Sequence, residues 1–283
     1  ENHEVCLEPN GGWDPRIQIV KCGDVVRAYL IKTERFVLVY DTLLGPKSGG
    51  FLREKALEFG TGRDLLVVNS HADWDHYFGN MAFPDTILAT NLAVRRIKGE
   101  YGQRELAQKK AESPESYQEV ELRPPTVGLP SHATLHGGDL TLELSLSKGH
   151  RPDHLSLYIP KIATLLPGDC VEEPIPLVDE DSDEKSRTLD ELIASLHQFV
   201  RLSPKWVLAN HAPPEQGTER ILRNLTYLED LRQKALKAPS LETLTNALPP
   251  DLGWSEFYQK AHLNQVRMAW EQTRRHCGKW TGD

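Results

Sequence analysis

Cysteine and long apolar runs are both scarce in this sequence. The four cysteines, Cys6, Cys22, Cys170 and Cys277, lie far apart, with no pair at C-x-x-C spacing. This pattern indicates free thiols rather than a disulfide framework or a zinc ribbon, and a Cys6 to Cys22 bridge is the alternative. No stretch approaches the roughly 20 apolar residues that cross a bilayer, and residues 1–9 are too acidic and polar for a signal peptide. We therefore expect a cytoplasmic protein with no membrane partner.

Positive charge is scarce as well, since 33 Lys and Arg stand against 41 Asp and Glu, a formal net charge of −8. Binding of nucleic acid requires concentrated Lys and Arg, so no nucleic-acid partner is expected. The hydrophobic fraction of 39% and the charged fraction of 26% are ordinary for a globular protein. At 283 residues, one large domain with a sizeable core is the expected organisation, and the oligomeric state is left open.

Apolar runs of strand length dominate the first part of the chain. Residues 16–41 hold three such runs, which predict an antiparallel meander. A helix is expected around 50–58, and the apolar run that follows, 65–68, is typical of a strand buried on both faces. The charged stretch 91–111 favours helix, and the proline-containing stretch 113–130 is interpreted as an insertion or lid.

The rest of the chain changes from strands to helices. Alternating leucines and two further apolar runs within 140–166 predict three more strands and hence a second sheet. An amphipathic helix over 188–200 precedes a strand at 206–208. We divide the chain into 1–215 and a C-terminal helical extension, 216–283, packed on the same domain. An apolar stripe at near-helical spacing is expected to pack this extension on the core: Phe257, Tyr258, Leu263, Val266 and Trp270.

Four of the apolar runs are followed by a loop that opens with His or Asp. The first of these loops packs four ionisable side chains into six residues, namely His71, Asp73, Asp75 and His76. Three later loops add His150, Asp169 and His211. Functional side chains are expected on such loops, because the sheet holds them rigidly. Since buried ionisable groups are destabilising unless they are paired or coordinate a metal, this density predicts a metal site.

The first loop resembles the H-x-H-x-D-H signature of the metallo-β-lactamase superfamily. Lys148-Gly149-His150, Pro167-Gly168-Asp169 and Ala209-Asn210-His211 resemble that family's remaining ligand motifs, in the right order. The resemblance covers roughly 16–215, including the meander that ends in Asp41. It implies an α+β fold, the four-layer αββα sandwich of this family, followed by the C-terminal helical extension.

Carried over residue by residue, the resemblance implies a dinuclear metal centre. The ligands implied for the first site are His71, Asp73 and His150, those for the second are Asp75, His76 and His211, and Asp169 bridges both. Two divalent ions would fill these sites, zinc in the first instance, with manganese or iron as alternatives. The implied activity is that of a metal-dependent hydrolase, in which a metal-bridged hydroxide attacks an ester, thioester, lactone or phosphodiester of a small-molecule substrate.

Two residues of this region are assigned catalytic roles, Asp75 and His154. His154 lies four residues after His150, where it is an outer partner of the ligands or a proton donor. The alternative is structural, because His154 begins a strand and can hydrogen-bond the backbone. Cys170, next to Asp169, is interpreted as a packed small residue rather than a nucleophile.

One position departs from the signature, because Asp73 stands where the family has its second histidine. A carboxylate there adds negative charge, lowers the Lewis acidity of the first metal, favours manganese or iron and can weaken the site. Two alternatives follow from it. One is a non-haem diiron protein that reduces oxygen or nitric oxide, since flavodiiron proteins carry a carboxylate at this position, although the stretch after His211 is too short for their flavodoxin domain. The other is a metal-binding protein with weakened catalysis.

Two activities of the family fit this sequence less well. β-Lactamases that use cysteine as a second-site ligand would need it where Asp169 stands. Lactonases of the family carry a tyrosine shortly after the bridging aspartate, whereas residues 170–173 read Cys-Val-Glu-Glu. Antibiotic hydrolysis is therefore disfavoured, and lactone hydrolysis stays in the set of candidate reactions with less support.

Overall fold

The computed structural model describes residues 3–180 and 187–277, and within this part of the chain seven strands form a first sheet in chain order. They are β1 (Val5–Glu8), β2 (Ile17–Cys22), β3 (Val26–Lys32), β4 (Phe36–Tyr40), β5 (Asp64–Val68), β6 (Thr86–Thr90) and β7 (Val127–Leu129). Strands β1 to β4 pair antiparallel, and β4 to β7 pair parallel. The predicted meander and the buried strand after it are therefore confirmed.

A second sheet of six strands is also formed by the described residues, in the order β13-β12-β11-β10-β9-β8. These strands are β8 (His132–His136), β9 (Thr141–Leu146), β10 (Leu155–Ile159), β11 (Thr164–Leu166), β12 (Trp206–Val207) and β13 (Glu215–Gln216). Neighbours pair antiparallel except β11 and β12, which are parallel. The second sheet expected from 140–166 is thus confirmed, with Leu142 and Leu144 of the alternating run buried.

Helices cover the outer faces of both sheets. Their bounds are α1 (Pro46–Phe59), α2 (Trp74–Tyr77), α3 (Asn91–Lys98), α4 (Glu100–Glu112), α5 (Pro114–Tyr117), α6 (Thr188–Leu202), α7 (Glu219–Lys237), α8 (Leu241–Ala247) and α9 (Glu256–Cys277). The stretch 91–111, which favours helix, forms α3 and α4, separated at Gly99. A Cβ on Gly102 would lie 2.3 Å from the Ile97 carbonyl oxygen, so glycine lets α4 begin this close to α3.

Three apolar clusters show how the layers stack. Ile19 and Leu38 of the first sheet pack with Leu144 and Leu157 of the second, which makes the central layer. A second cluster joins the outer face of the first sheet to α1 and α3. A third joins the second sheet to α6, α7, α8 and α9. The predicted four-layer αββα sandwich with helical C-terminal residues is confirmed.

Two buried tyrosines connect the first sheet to the second sheet and one of its loops. Tyr29 donates a hydrogen bond to the Ala209 carbonyl oxygen at 2.6 Å, and Tyr40 donates one to the Leu155 carbonyl oxygen at 2.6 Å. Both hydroxyls are removed from water, where an unpaired polar group would be destabilising. Because Ala209 lies two residues before His211 and Leu155 directly follows His154, these bonds help set the relative position of the predicted site loops.

The structure modifies two predictions, one for the C-terminal residues and one for the insertion at 113–130. In α9, Val266 is buried in the core, but Phe257 and Leu263 are 61% and 40% exposed, so the apolar stripe packs only in part. Stretch 113–130 contributes α5 and β7, an edge strand of the first sheet, rather than a free lid. The division at residue 215 stays a prediction.

The structure shows the state of three cysteines and the length and polarity of the described helices. Cys6, Cys22 and Cys170 are thiols, so the alternative of a Cys6 to Cys22 bridge is wrong; the side chain of Cys277 lies outside the described residues. Among the helices within 3–180 and 187–277, none combines the length and apolar character needed to cross a membrane.

Candidate metal centre

The four predicted loops meet at one edge of the two sheets. The first loop follows β5, the second connects β9 to β10, the third follows β11 and the fourth follows β12. All seven predicted ligand side chains come together there, and most are buried: His71, Asp73, Asp75, His76, His150, Asp169 and His211. Residues up to 140 positions apart in the sequence therefore share one site.

Asp169 lies at the centre of this cluster. Its Oδ2 atom is 3.0 Å from His76 Nε2 and 3.1 Å from His211 Nε2. The same oxygen is 3.6 Å from Nε2 of both His71 and His150. One carboxylate oxygen thus contacts four imidazoles, the arrangement expected of a group that serves two neighbouring cations.

The remaining candidate ligands form two groups, and Asp169 Oδ2 lies near the histidines of both. In the first group, Asp73 Oδ2 lies 3.4 Å from His71 Nε2 and 3.6 Å from His150 Nε2. Zinc ligands at about 2.0–2.1 Å in a tetrahedron are about 3.4 Å from one another. The first group therefore has the spacing of a coordination shell.

The ligand atoms of the second group have similar spacings. Asp75 Oδ2 lies 3.2 Å from His211 Nε2 and 3.6 Å from His76 Nε2. The two imidazole Nε2 atoms are 3.4 Å apart. These distances again match the edges of a coordination polyhedron.

Each imidazole of the cluster is oriented by a contact at its other nitrogen. The Nδ1 distances are 2.9 Å for His71 to Ser70 Oγ, 2.9 Å for His76 to Asp41 Oδ2, 3.0 Å for His150 to the Leu177 carbonyl oxygen and 2.6 Å for His211 to the Val25 carbonyl oxygen. Carboxylate and carbonyl oxygens only accept hydrogen bonds, so they fix the proton on Nδ1. The Nε2 lone pairs are left to face the centre, as metal-ligating histidines require.

Several atoms of the cluster have no hydrogen-bond partner within the described residues. They are Nε2 of His71, Nε2 of His150 and Oδ1 of Asp169, all of them buried. Leaving a buried polar group unpaired is destabilising by roughly 1–3 kcal/mol, so a cation is the natural partner for these lone pairs. Imidazole and carboxylate together suit zinc, manganese and iron, and the donor set therefore fits a divalent metal.

The pKa shifts within the cluster also favour a bound cation. Burial opposes ionisation of Asp169, but His211 and His76 outweigh it and hold the pKa of Asp169 well below its usual range. Burial likewise opposes protonation of His76 and His211, yet the nearby carboxylates, Asp169 above all, raise the pKa of both imidazoles well above the usual range. The carboxylates of the cluster thus favour positive charge at the positions that a cation would take.

Arg151 is a partner of the cluster that sequence reasoning missed. Its Nε donates to Asp73 at 2.8 Å from Oδ2 and 2.9 Å from Oδ1, and Tyr101 donates to Asp73 Oδ1 at 3.0 Å. The sequence does show a cation directly after His150, which was the available signal. The negative charge expected from Asp73 is therefore offset by a guanidinium, which weakens the argument that this carboxylate selects manganese or iron.

His154 lies behind Asp169 rather than in the cleft. The ring is fully buried, and its Nε2 accepts a hydrogen bond from the Asp169 backbone N–H at 3.2 Å. Burial, together with His71 and His150, lowers the pKa of His154 well below its usual range. This geometry favours the outer-partner role over that of a proton donor.

The residues on both sides of Asp169 are equally constrained. Gly168 has φ +58°, and a Cβ there would lie 2.1 Å from His154 Nε2. Cys170 is fully buried and donates from Sγ to the Ser147 carbonyl oxygen at 3.3 Å, and burial followed by the Asp169 charge raises the pKa of its thiol well above the usual range. Cys170 thus has the environment of a packed residue, as the sequence predicts.

A cleft of about 710 Å³ opens onto the cluster. Trp74 lines the cleft, as do Phe257 and Tyr258 at the start of α9. Tyr258 donates a hydrogen bond to Glu172 Oε2 at 3.2 Å, and Glu172 Oε1 is 3.8 Å from His150 Nδ1. Burial and the Asp169 charge raise the pKa of Glu172 to about 7. Neither Glu172 nor Tyr258 has a motif in the sequence that indicates the site.

Comparison with known proteins is consistent with this geometry. A family model described as the metallo-beta-lactamase superfamily matches residues 23–211. No curated protein gave a significant sequence match. A metallo-beta-lactamase family protein of Thermus thermophilus is structurally similar, with a TM-score of 0.64 and 18% identity over 97% of this chain and 93% of that one.

Two further solved structures share the fold. A beta-lactamase domain protein of Burkholderia ambifaria has a TM-score of 0.63 and 16% identity, covering 91% of this chain and 88% of that one. A metallo-beta-lactamase of Pseudomonas aeruginosa in its mono-zinc form has a TM-score of 0.56 and 13% identity, covering 80% of this chain and 95% of that one. At such identities the likeness concerns the fold alone.

Proposed function

The chain belongs to the metallo-beta-lactamase superfamily, and on that basis we propose that it is a metal-dependent hydrolase of small molecules. The observation that carries the proposal is the position of Asp169, whose Oδ2 contacts the Nε2 atoms of four histidines. Buried lone pairs without partners surround it. A site built only to stabilise the fold would have paired these atoms.

The residues proposed to hold the metal form two groups that share Asp169. The first group is His71, Asp73 and His150, and the second is Asp75, His76 and His211. Divalent cations bound there, zinc in the first instance and manganese or iron as alternatives, would polarise a scissile carbonyl or phosphoryl oxygen and lower the pKa of water to provide a hydroxide nucleophile. An ester, thioester, lactone or phosphodiester is the proposed class of scissile bond.

The contribution of the chain itself is orientation and proton handling. Asp41 and the carbonyl oxygens of Leu177 and Val25 hold three of the imidazoles at Nδ1. Glu172 lines the cleft, and its Oε1 atom has no hydrogen-bond partner among the described residues, so it is placed to exchange a proton with a bound molecule. Tyr258 holds Oε2 of the same carboxyl group.

The cleft supports a small-molecule substrate. Its volume of about 710 Å³ is within the usual range for ligand pockets. Apolar walls from Trp74, Leu177 and Phe257 stand beside the cationic side chains of Lys109 and Lys260. Carboxylates, among them Glu180, share this lining, so it suits substrates that combine an apolar portion with polar or charged groups.

A second candidate function rests on Asp73. A carboxylate at this position motivates the diiron redox alternative, and its ion pair with Arg151 motivates a metal-binding protein with slow chemistry. Two bound irons together with reduction of oxygen or nitric oxide would favour the first alternative. Bound metal without turnover on any ester, thioester, lactone or phosphodiester would favour the second.

The ligand assignment is tested by removing one ligand at a time. His76→Ala and Asp169→Ala should each lose bound metal and hydrolytic turnover together, measured by plasma mass spectrometry and by a substrate panel on the same preparation. His197→Ala is the matched control, because that imidazole is half exposed and pairs with Glu229 away from the cluster. Retention of two metals in either ligand variant, with an unchanged control, would refute the assignment.

A further inference from the structure

The two carboxylates of the ligand groups differ in what else they contact. Asp73 accepts hydrogen bonds from Arg151 on both oxygens and from Tyr101 on Oδ1. Arg151 is itself anchored, since its Nη1 donates to Asp179 Oδ1 at 2.8 Å and Asp179 is buried. The second ion pair therefore helps to hold the guanidinium beside Asp73.

Asp75 has no comparable partner in the part of the chain that the structure describes. Its ion-pair contacts are to two imidazoles of the site, His76 at 3.6 Å and His211 at 3.2 Å. An incoming cation would meet a carboxylate there that has no Arg or Lys partner among the described residues. The two groups thus contain the same residue types, but the aspartate of the first is bound by an arginine, whereas that of the second contacts imidazoles of the site.

The Nδ1 partners of the imidazoles also differ between the two groups, and this difference too favours the second group. His76 Nδ1 lies 2.9 Å from the fully buried carboxylate of Asp41, and a carboxylate at that position increases the basicity of the ligating nitrogen. In the first group, His150 Nδ1 lies 3.0 Å from the neutral carbonyl oxygen of Leu177, and the carboxyl oxygen of Glu172 is farther away, at 3.8 Å. Through His76, the second group should therefore donate more strongly.

We infer that the two groups bind cations with unequal affinity, and that Arg151 sets the difference. The group of Asp75, His76 and His211 fills first, and the Asp73–Arg151 ion pair keeps the other group weak. Two physical terms act against a cation at Asp73: a lone pair committed to a charge-assisted hydrogen bond, and repulsion from a fixed guanidinium beside the same oxygen. Arg151 is thus a positioning residue that acts through Asp73.

This inference rests on the proposed metal dependence and adds a consequence to it. At limiting zinc, the protein holds one ion per chain, in the second group. The other group fills only as the zinc concentration rises, so the ratio of singly to doubly loaded protein follows the metal supply. Replacing Arg151 by a neutral side chain of similar length would release Asp73 and bring the two affinities together.

The test is a zinc titration of the full-length, chelator-stripped protein against a chromophoric competing chelator. The wild-type chain should show one tight and one weak zinc, and Arg151→Met should tighten the weak one by about tenfold or more, the change expected for one charge-assisted hydrogen bond. Arg16→Met is the matched control, because Arg16 also lies between two carboxylates, Asp14 and Asp139, each at 2.8 Å. Circular dichroism establishes that both variants fold.

Two more variants identify which group binds each zinc ion. His211→Ala should remove the tight zinc, and His150→Ala should remove the weak zinc while leaving the tight one. Two zinc ions that bind wild type with affinities within threefold would overturn the inference and leave the proposed function standing, as would an Arg151→Met variant that folds and binds like wild type. Absence of any zinc, manganese or iron binding would instead overturn the proposed function itself.

Discussion

Asp41 Oδ2 lies 2.9 Å from His76 Nδ1 and 2.9 Å from the side-chain nitrogen of Asn210. Its other oxygen accepts the Ser70 backbone N–H at 2.6 Å. One buried carboxylate thus joins the first ligand loop to the last. Asp41 adopts φ 63°, a left-handed conformation that aspartate tolerates better than most residues.

Removing this charge should weaken metal binding without touching a ligand. Asp41→Asn is expected to lower zinc affinity by about 10–100-fold, the usual effect of losing an outer partner of a ligating histidine. The measurement is the chelator-competition titration. Asp85→Asn serves as the control, since Asp85 pairs with Arg53 away from the cluster, and equal affinities in the two variants would contradict the role of Asp41.

Glycine at position 168 should be required for both the fold and the site. Gly168→Ala places a Cβ at φ +58°, 2.1 Å from His154 Nε2, and should lower the free energy of unfolding by about 3 kcal/mol or more. Gly62→Ala has a similar φ of +77° with no atom within 4 Å, so it isolates the backbone term of about 1–2 kcal/mol. Urea denaturation measures both. If Gly168→Ala and Gly62→Ala lowered the free energy of unfolding equally, the contact with His154 would be unimportant.

The start of α9 should affect the substrate more than the fold. Phe257 is 61% exposed and lines the cleft, so Phe257→Ala should raise KM severalfold and change the free energy of unfolding by less than about 0.5 kcal/mol. Leu252→Ala is the matched control, because Leu252 is 85% exposed and is not among the residues that line the cleft. Unchanged kinetics in Phe257→Ala, measured on any hydrolysed substrate, would place the substrate elsewhere.

Zinc binding should release protons and strengthen as the pH rises. Although burial opposes protonation, the nearby carboxylates raise the pKa of His76, His150 and His211, so the metal-free protein holds protons that zinc must displace. In the metal-free protein the same protons stabilise the fold below the unfolded-state pKa of about 6.5, and that stabilisation is lost as the pH rises through the higher folded-state values.

Calorimetric titrations in two buffers of different ionisation enthalpy would count these protons. We expect proton release for the first zinc at pH 7 and an apparent affinity that increases between pH 6 and pH 8. An affinity independent of pH over this range, with no buffer dependence of the heat, would contradict the protonation of the metal-free cluster.

The sequence was sufficient to predict that these His and Asp side chains come together, both from the loops that follow apolar runs and from the resemblance to the family's motifs. Each of the four loops follows a short apolar run, and a strand that ends in a loop places its next polar side chains at the sheet edge. His71 and Asp169, nearly a hundred positions apart, could therefore be assigned to one edge from the sequence. Their contact at 3.6 Å agrees with that assignment.

The partners of the cluster could not be predicted in the same way. Tyr258 reaches Glu172 across 86 positions, and Tyr101 reaches Asp73 across 28. Such contacts depend on how α9 and α4 pack on the sandwich, and neither helix carries a motif that indicates the packing. The exposed position of Phe257 is likewise set by this packing, since helical spacing alone predicts a buried stripe.

Hydrolysis by chelator-stripped protein, followed as zinc is added back, tests the proposed metal dependence itself. Turnover is measured on a panel of chromogenic esters, thioesters, lactones and phosphodiesters, together with the zinc bound per chain. We predict no turnover in the stripped protein, activity that rises with bound zinc, and none in Asp169→Ala at any zinc concentration. Turnover that is unaffected by stripping, or a protein that binds zinc and hydrolyses nothing in the panel, would contradict the proposal of a metal-dependent hydrolase.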